Sequence, residues 1–434
     1  MLLYALLACH GLSPLSDKSG DSGLIESQVE SGSDDSARDD SATDDSAADD
    51  SATDDTGAQP SGDLATFQQG IDGALGGPDM LNRVAQSGGW PIDAGDGTFV
   101  FAALDEGWGL LQLAGDHEGW QGQNMALSHG IWWIRTTIAN PSGSQYKLVA
   151  GADYFADPWA RAYRYDTYGE ISLVRGDGEH IERWPNIGDS QMQPRTVRVW
   201  VPARAVTHQL YVQDGQNLFD PDAFYGGWEL QYSLGDSTMA VGIDNTPDRM
   251  DEYTQVQDFV YGEWMGGDGD AYADFLVNTV RPLVESEYGA APRVGIMGSS
   301  LGGLISLHAA LRDPAAWDYV ASLSGTVGWG SIGANNETII ERYDAAGYTG
   351  VPIYLDSGGG PGQGCIDSDG DGIDDDSPDS SDNYCENRQL ADTLAAEGWN
   401  WETDLWHWWE PDAGHNEAEW AARVWRPVAI FEDL

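Results

Sequence analysis

The sequence predicts an α/β fold over residues 190–434, with a mostly parallel sheet flanked by helices, preceded by a small all-β, immunoglobulin-like sandwich over residues 63–175. Two observations predict the α/β part: short apolar segments alternate with helical segments, and each is nearly continuously apolar, as strands buried on both faces must be. The sandwich is predicted by short alternating segments between Gly, Asn and Pro turns. The predicted strands are 98–103, 110–113, 130–138 and 146–150, then 196–201, 209–213, 239–243, 293–297, 352–355 and 403–409.

Chain length indicates the number of domains, and net charge argues against one class of protein, those that bind nucleic acid. A chain of 434 residues predicts two or three domains. Its 72 acidic residues outnumber 20 basic ones, for a formal net charge of -52, and only Lys18 and Lys147 are lysines. A polyanion repels DNA, RNA and anionic membrane surfaces, so the composition excludes nucleic acid as the expected partner.

Residues 1–9 form an apolar start that ends in Leu-Leu-Ala-Cys. This segment is too short to span a bilayer, which takes about 20 residues. It resembles a bacterial lipobox, in which the cysteine, here Cys9, carries the lipid, although no Lys or Arg precedes it. The resemblance implies an exported protein, either a cell-envelope lipoprotein facing the outer surface or the periplasm, or a secreted one. A chance apolar start is the alternative.

Residues 10–62 are predicted to be a disordered acidic linker. From Asp34 the chain repeats in fives as DDSAR, DDSAT, DDSAA, DDSAT and DDTGA. Such a segment has too little apolar surface to offset its ordering entropy, and its carboxylates repel one another. We expect a spacer behind a lipid anchor, or a charged tail with no anchoring role.

Three motifs in the predicted sandwich carry a first resemblance. LAGDHEGW (113–120), QYKL (145–148) and DYFADPWA (153–160) resemble the early-set modules of glycogen-branching enzymes and related carbohydrate-binding modules. The resemblance implies a glycan contact at Trp120, Lys147 and Tyr154. A purely structural role is the alternative, because the same residues recur in members that bind no sugar.

Three helices are predicted in the α/β part, at 271–288, 301–311 and 387–396. In the first, Phe275, Leu276, Val280, Leu283 and Val284 are spaced to bury one face. Pro282 lies inside the same helix and predicts a kink, because proline donates no backbone hydrogen bond.

Residues 298–302, Gly-Ser-Ser-Leu-Gly, match the G-x-S-x-G nucleophile elbow. A serine hydroxyl is a weak nucleophile and must stand clear of the sheet to meet both a base and a substrate. The sharp turn that exposes it leaves no room for Cβ atoms two residues before and after it, where Gly298 and Gly302 stand. A predicted strand precedes the motif and a predicted helix follows, so Ser300 is the expected nucleophile.

The general base and its acid partner should follow Ser300 in the order acid, then histidine. His415 lies in a glycine-containing loop after the last predicted strand and is the expected base. His407 lies in an apolar, tryptophan-rich strand, where a core role is expected, and His308 lies in the helix after the elbow. The acid is Asp356, at the end of a predicted strand, or Asp382, before the helix at 387.

The oxyanion hole is expected to use two backbone N–H groups. One belongs to Leu301, the residue after the nucleophile. The other should come from the loop after the strand 209–213, where a glycine lets the backbone approach the substrate, and Gln216 is the expected donor.

Five motifs jointly carry a second resemblance: LYVQDGQNLFD, VGIDNTPDRMDEYT, VESEYG, RVGIMGSSLGGL and AGHNEAEW. Together they resemble the bacterial putative esterase family, which includes enterochelin, feruloyl and acetylxylan esterases, S-formylglutathione hydrolase and mycolyltransferases. The resemblance implies an α/β-hydrolase fold, a Ser-Asp-His triad that favours Asp382, and no cofactor for the chemistry. It implies a small-molecule or glycan ester as substrate, such as a siderophore lactone or a sugar or phenolic ester.

Two alternatives to a hydrolase stay open. The first is an acyltransferase on the same scaffold. The second is an inactive surface protein that binds carbohydrate, which the intact elbow and His415 disfavour. Arg249, in the NTPDRMDEY segment, is expected near the cleft, where it would meet an acidic substrate or form an internal ion pair.

An insertion at 361–381 carries a metal signal. Its alternating carboxylates and glycines resemble the calcium loops of thrombospondin type 3 repeats and dockerins, although Pro378 stands where an EF-hand has glutamate. A structural Ca²⁺ or a solvated acidic loop is expected. Cys365 and Cys385 bracket the loop, and a disulfide between them is expected in an exported protein. The expected metal-site residues are Asp367, Asp369, Asp371, Ile373 and Asp375.

Overall fold

The structure is a computed structural model of the chain, and it describes residues 62–375 and 382–434. The expected lipobox at 1–9, with Cys9, and the expected linker up to residue 61 lie outside the described residues. So do residues 376–381 of the acidic insertion.

The described chain is built from short helices and strands. The strands are β1 Ile92–Asp93, β2 Thr98–Leu104, β3 Gln112–Gly115, β4 Gln123–Asn124, β5 Ala126–Ser128, β6 Ile131–Thr137, β7 Gln145–Ala150, β8 Asp153–Phe155, β9 Ala162–Asp166, β10 Gly169–Leu173, β11 His180–Ile187, β12 Arg195–Val201, β13 His208–Gln213, β14 Thr238–Ile243, β15 Gln257–Val260, β16 Glu263–Gly266, β17 Arg293–Ser299, β18 Tyr319–Leu323, β19 Ile353–Ser357 and β20 Leu405–Trp409. The helices are α1 Asp63–Ile71, α2 Gly77–Ala85, α3 Arg249–Glu252, α4 Gly269–Phe275, α5 Arg281–Tyr288, α6 Leu301–Arg312, α7 Ile339–Ala346, α8 Tyr384–Glu397, α9 Glu417–Arg423 and α10 Trp425–Asp433.

The N-terminal region is not wholly β. Helices α1 and α2 occupy its first part, and their apolar side chains pack on β2 and β6. Met80 and Val84 of α2 are fully buried there, against Val100 of β2 and Ile131 of β6. The strands that follow form two antiparallel groups, β1-β2-β6-β5 and β10-β7-β3-β4, whose side chains share one apolar cluster. Two packed sheets are therefore present, with two helices added.

One sheet of fourteen strands runs through the described residues, in the order β20-β19-β18-β17-β13-β14-β12-β11-β9-β10-β7-β3-β4, with β8 beside β7. The link between its two halves is β11, which pairs antiparallel with β9 on one side and with β12 on the other. The sheet therefore continues from the N-terminal region into the C-terminal one without a break.

Six strands pair in parallel, in the spatial order β14-β13-β17-β18-β19-β20. All of them except the edge strand β20 are buried on both faces. Alternate residues of β13 show the reason: Leu210 and Val212 pack into one apolar cluster, and Tyr211 packs into the cluster on the other face. A strand with two buried faces must be apolar throughout, as the sequence pattern indicated. The result is a mixed α/β architecture with a large, mostly parallel C-terminal sheet.

The helix predicted at 271–288 is interrupted. Its middle turn, Leu276–Val280, is π-helical, between α4 and α5. Pro282 stands at the start of α5, where the missing N–H and the bulk of the ring prevent a regular hydrogen bond to the preceding turn. The wider turn accommodates it, as π-bulges do inside α-helices.

Candidate active site

Ser300 stands at a sharp turn between β17 and α6. Its backbone has φ 56° and ψ -126°, a conformation that costs free energy and is typical of nucleophile elbows. A Cβ atom added to Gly298 would collide with the carbonyl of Gly302, and one added to Gly302 would come within 3.0 Å of Gln213 Cβ. The two glycines therefore permit the turn, which is held by a 2.9 Å hydrogen bond from Ser300 N–H to Leu323 O.

Three predicted site residues meet at the carboxyl edge of the parallel strands. Ser300 Oγ lies 2.9 Å from His415 Nε2, and His415 Nδ1 lies 2.8 Å from Asp382 Oδ1. Ser300 follows β17, Asp382 precedes α8 and His415 follows β20. Because β18 and β19 lie between β17 and β20 in the sheet, the loops that carry these residues reach one another across two strands. The geometry lets Nδ1–H donate to the carboxylate while Nε2 accepts the serine proton.

The second oxygen of Asp382 is held by residues that the sequence did not indicate. Oδ2 accepts from the Gly358 N–H, from Ser324 Oγ at 2.6 Å and from Arg423 Nη2 at 3.2 Å. The neighbouring Asn383 also contacts Ser324, because its Nδ2 donates to Ser324 O at 3.1 Å. These contacts leave only Oδ1 of Asp382 for the imidazole.

Asp356 lies nearby but in another set of contacts. Its Oδ1 lies 3.1 Å from Arg423 Nε and accepts the Ser324 N–H at 3.1 Å. Burial raises the pKa of Asp356 to about 6, against the opposing effect of the Arg423 charge. Of the two candidate acids, the structure brings Asp382 to His415.

Side chains outside the turn hold the segment that is expected to supply the second oxyanion donor. Gly215–Asn217 form a 3₁₀ turn directly after β13, which lies beside β17. Asp214 precedes the turn at φ 59° and accepts two 2.8 Å hydrogen bonds from Arg249. Gln216 Oε1 accepts the Asn245 N–H at 3.1 Å. Arg249 therefore forms the internal ion pair, one of its two expected roles.

Two further side chains border the triad. Thr326 Oγ1 lies 3.3 Å from Ser300 Oγ, and the Trp420 ring packs edge-on against the His415 ring, with centroids 4.9 Å apart. Besides His415, two histidines follow Ser300, and these two, His308 and His407, lie outside the triad. His308 pairs with Asp270 at 2.8 Å, and burial lowers the pKa of His407 to about 4.

The acidic insertion is tied to helix α8. Side-chain oxygens of Asp367, Asp369 and Asp371 lie within 4.8 Å of one another, a spacing that a hard cation could share. Asp375 instead accepts hydrogen bonds from Ser368, and Ile373 is buried. The expected disulfide joins Cys365 to Cys385, with a Cα–Cα distance of 5.4 Å.

The three residues expected to contact glycan line one cleft of about 600 Å³. Tyr154 is 52% exposed and Tyr168, at the rim, is 85% exposed. Lys147 is buried, and its Nζ donates to Tyr168 O at 3.1 Å. Trp120 also lines the cleft.

Among the described residues, none of the helices has both the length and the apolar character needed to cross a membrane.

The profile of the family described as putative esterase matches residues 190–429. The chain is 31% identical over 129 residues to the uncharacterised protein YbbA of Bacillus subtilis (strain 168), covering 27% of this chain and 49% of that protein. It is 34% identical over 68 residues to a siderophore triacetylfusarinine C esterase of Aspergillus fumigatus, covering 15% of this chain and 23% of that protein. The chain thus spans half or less of the length of these curated relatives.

Among solved structures, an IroE-like serine hydrolase from Shewanella oneidensis is similar to this chain. It shows 19% identity and a TM-score of 0.45, over 58% of this chain and 80% of that one.

Proposed function

Because this chain belongs to the putative esterase family, we propose that it is an esterase and that it cleaves carboxylic esters through Ser300, His415 and Asp382. The observation that carries the proposal is the unbroken contact from Asp382 through His415 to Ser300, at 2.8 and 2.9 Å, on a strained elbow. A buried carboxylate that orients the imidazole, and a hydroxyl within its reach, are what nucleophilic ester cleavage requires.

The reaction would proceed in two halves. Ser300 Oγ attacks the acyl carbonyl while His415 Nε2 takes its proton, and the imidazolium then protonates the departing alcohol. Water attacks the resulting acyl-enzyme, His415 takes a proton from it, and the collapse returns the proton to Ser300 and releases the carboxylic acid. Asp382 fixes the imidazole and stabilises its charge.

Two backbone N–H groups would bind the oxyanion, those of Leu301 and Gln216. Within the described residues, neither N–H donates to a protein acceptor, so both are available to a substrate oxygen. The turn that carries Gln216 is held by Arg249 and Asn245, which reduces the reorganisation needed during the reaction.

The decisive experiment compares wild type with Ser300→Ala on p-nitrophenyl acetate and butyrate, methyl ferulate, acetylated xylan and a catecholate trilactone. We expect activity on at least one ester, and its loss in the variant to the level of buffer. A folded wild type that hydrolyses none of them and resists a fluorophosphonate probe would refute the proposal. The substrate class we propose is a siderophore lactone or a sugar or phenolic ester. The name of the Aspergillus relative, a siderophore esterase, supports the first of these.

An acyltransferase would use the same acyl-enzyme. Adding a small alcohol such as glycerol to the assay distinguishes the two, since a transferase yields a new ester in preference to the acid.

Glycan binding by the N-terminal region is a second candidate function. It is supported by the cleft that gathers Trp120, Lys147 and Tyr154, with aromatic faces suited to stacking on sugar. Affinity electrophoresis in soluble polysaccharides should show retardation that Tyr154→Ala removes and Trp264→Ala, at an exposed aromatic outside the cleft, does not. Equal mobility of wild type and Tyr154→Ala in every polysaccharide would refute it.

Calcium at the acidic insertion stays a prediction. Asp367, Asp369 and Asp371 are the residues that would hold the ion. If they do, the melting temperature should rise when CaCl₂ replaces EDTA, and Asp369→Asn should remove the increase. An unchanged melting temperature in wild type would mean a solvated loop.

We also propose that the protein is exported, which the Cys365–Cys385 disulfide supports, because such bonds persist in oxidising compartments. Lipidation of Cys9 stays a prediction, which mass spectrometry of the protein from its native membranes would test.

A further inference from the structure

Glu417 lies two residues after His415, at the start of α9, and reaches the oxyanion turn. Its Oε1 accepts a 3.3 Å hydrogen bond from Asn217 Nδ2. Asn217 is the neighbour of Gln216, the proposed oxyanion donor, and is 8% exposed. Asn217 is itself held, since its carbonyl accepts the Trp228 N–H at 2.9 Å. The Glu417 side chain therefore connects the segment that carries His415 to the turn that carries Gln216.

Charged groups from three elements act on Glu417. Asp214 is the residue before the oxyanion turn, Arg249 lies in α3, and His415 lies in the loop before α9. Burial raises the pKa of Glu417 to about 7, and the Asp214 charge adds to the rise, while Arg249 and His415 oppose it. Arg249 and Asp214 largely neutralise each other through their bidentate pair. With those two charges paired, the remaining charged group that acts on the Glu417 carboxylate is a protonated His415, which attracts it.

We propose that Glu417 is a positioning residue for ester hydrolysis: it fixes the oxyanion turn relative to His415 and stabilises the imidazolium formed during proton transfer. This inference rests on the proposed function, since it assigns Glu417 a role in the reaction of Ser300. The hydrogen bond to Asn217 supplies the positioning, and the carboxylate charge supplies the stabilisation. The two contributions can be separated by mutation.

Three variants separate them. Glu417→Gln keeps an oxygen that can accept from Asn217 but loses the charge. Asn217→Ala keeps the charge but loses the hydrogen bond. Glu419→Gln is the matched control, because Glu419 lies in the same first turn of α9 and carries none of the described contacts with the triad or the oxyanion turn.

The measurements are the pH profiles of kcat/KM on the best ester and of the labelling rate by a fluorophosphonate probe. For Glu417→Gln we expect the plateau above pH 8 to fall about tenfold and the midpoint of the low-pH limb to move down by about half a unit, since the neutral side chain no longer favours the imidazolium. For Asn217→Ala we expect a lower plateau with the limb unmoved. Glu419→Gln should match wild type.

A Glu417→Gln profile that coincides with that of Glu419→Gln, in both plateau and limb, overturns the inference while the proposed function stands. Failure of the fluorophosphonate probe to label wild type overturns the proposed function, and this inference with it. Circular dichroism of each variant at the assay pH confirms that losses occur in folded protein.

Discussion

Arg423 separates the two aspartates that competed for the role of triad acid. Its Nε contacts Asp356 and its Nη2 contacts Asp382, and both carboxylates also contact Ser324. Of the two, only Asp382 has an oxygen directed at His415. Asp356 and Asp382 are equally buried and both contact Arg423, but the structure places only Asp382 against the imidazole.

The first prediction concerns these aspartates. Asp382→Asn should lower kcat by about 10⁴-fold, because an amide in place of the carboxylate disfavours the productive imidazole tautomer. Asp356→Asn should retain far more activity and lower the melting temperature instead, because it removes one partner of a buried ion pair. Steady-state kinetics and thermal melts of both variants check this. A larger kcat loss in Asp356→Asn would move the acid to that position.

The second prediction concerns the stability cost of Glu417. Its pKa in the folded protein is raised to about 7 from an ordinary value of 4.5, so the folded state binds the proton more tightly. The resulting stabilisation is complete below pH 4.5 and is lost as pH rises through 7. Glu417→Gln should therefore melt higher than wild type at pH 8, with the difference shrinking toward pH 4.5. A lower melting temperature at pH 8 would contradict the assignment.

At the scale of elements, the elbow depends on the space around its glycines. The third prediction is that Gly298→Ala destabilises the fold by about 1–3 kcal/mol and reduces activity, since the new methyl group meets backbone atoms that cannot move alone. Gly109→Ala is the control, because a Cβ there meets open space and its φ is not in the left-handed region. Urea denaturation of both variants gives the free energies of unfolding. Equal free energies of unfolding for the two variants would mean that the elbow accommodates the added methyl group without cost.

Helix α8 joins the acidic insertion to the triad. Cys385 lies in its first turn, three residues after Asp382, and Gln389 one turn later donates to Gly372 O of the insertion at 2.7 Å. The insertion is thus attached to the helix at two points on one face. We therefore expect this attachment to support the position of Asp382, which contacts His415.

The fourth prediction follows from that attachment. Replacing both Cys365 and Cys385 with serine should lower stability by about 3 kcal/mol, through the added freedom of the unfolded loop. It should also lower kcat more than it changes KM, because Asp382 loses part of its support. Thermal melts and kinetics of the double variant, beside wild type treated with a reductant, check both effects. Unchanged kcat in folded double variant would show that Asp382 is held by its other contacts.

At the scale of the whole molecule, the sequence predicted most of the α/β part. The three residues that it indicated as a triad lie within hydrogen-bonding distance of one another. Strands with two buried faces and the G-x-S-x-G elbow are local signals, and the structure has strands or helices close to the predicted positions. Helices α1 and α2 went unpredicted, because each has only nine residues and they precede a series of segments with the alternating pattern of strands. Ser324 and Arg423 also went unpredicted, because their contacts with Asp382 join residues far apart in sequence.

Strand β11 was missed for a different reason. It contains Pro185 and its register shifts between Trp184 and Ile187, features that normally argue against a strand in the middle of a sheet. The segment lies between the two expected domains, at 63–175 and 190–434, where a connection was expected. Its pairing with β9 and β12 depends on partners that no local pattern reveals.

The fifth prediction tests what β11 contributes. A fragment that begins at residue 190 would leave the backbone groups of β12 without their β11 partners. It would also lack Trp184 and Ile187, which pack in the apolar cluster that contains Val197. We expect it to aggregate, whereas a fragment that begins at residue 176 and keeps β11 should be more soluble. Size-exclusion chromatography distinguishes the two. Monomeric behaviour of the shorter fragment would show that β11 is dispensable.

The continuous sheet also has a calorimetric consequence. Where two domains are joined only by a tether, each absorbs heat at its own temperature, and the thermogram resolves into two peaks. Here β9, β11 and β12 share one ladder, so neither half can melt without breaking hydrogen bonds of the other. Heating should produce one endotherm whose van't Hoff enthalpy equals its calorimetric enthalpy, as expected when the N-terminal region and the α/β region form a single thermodynamic unit.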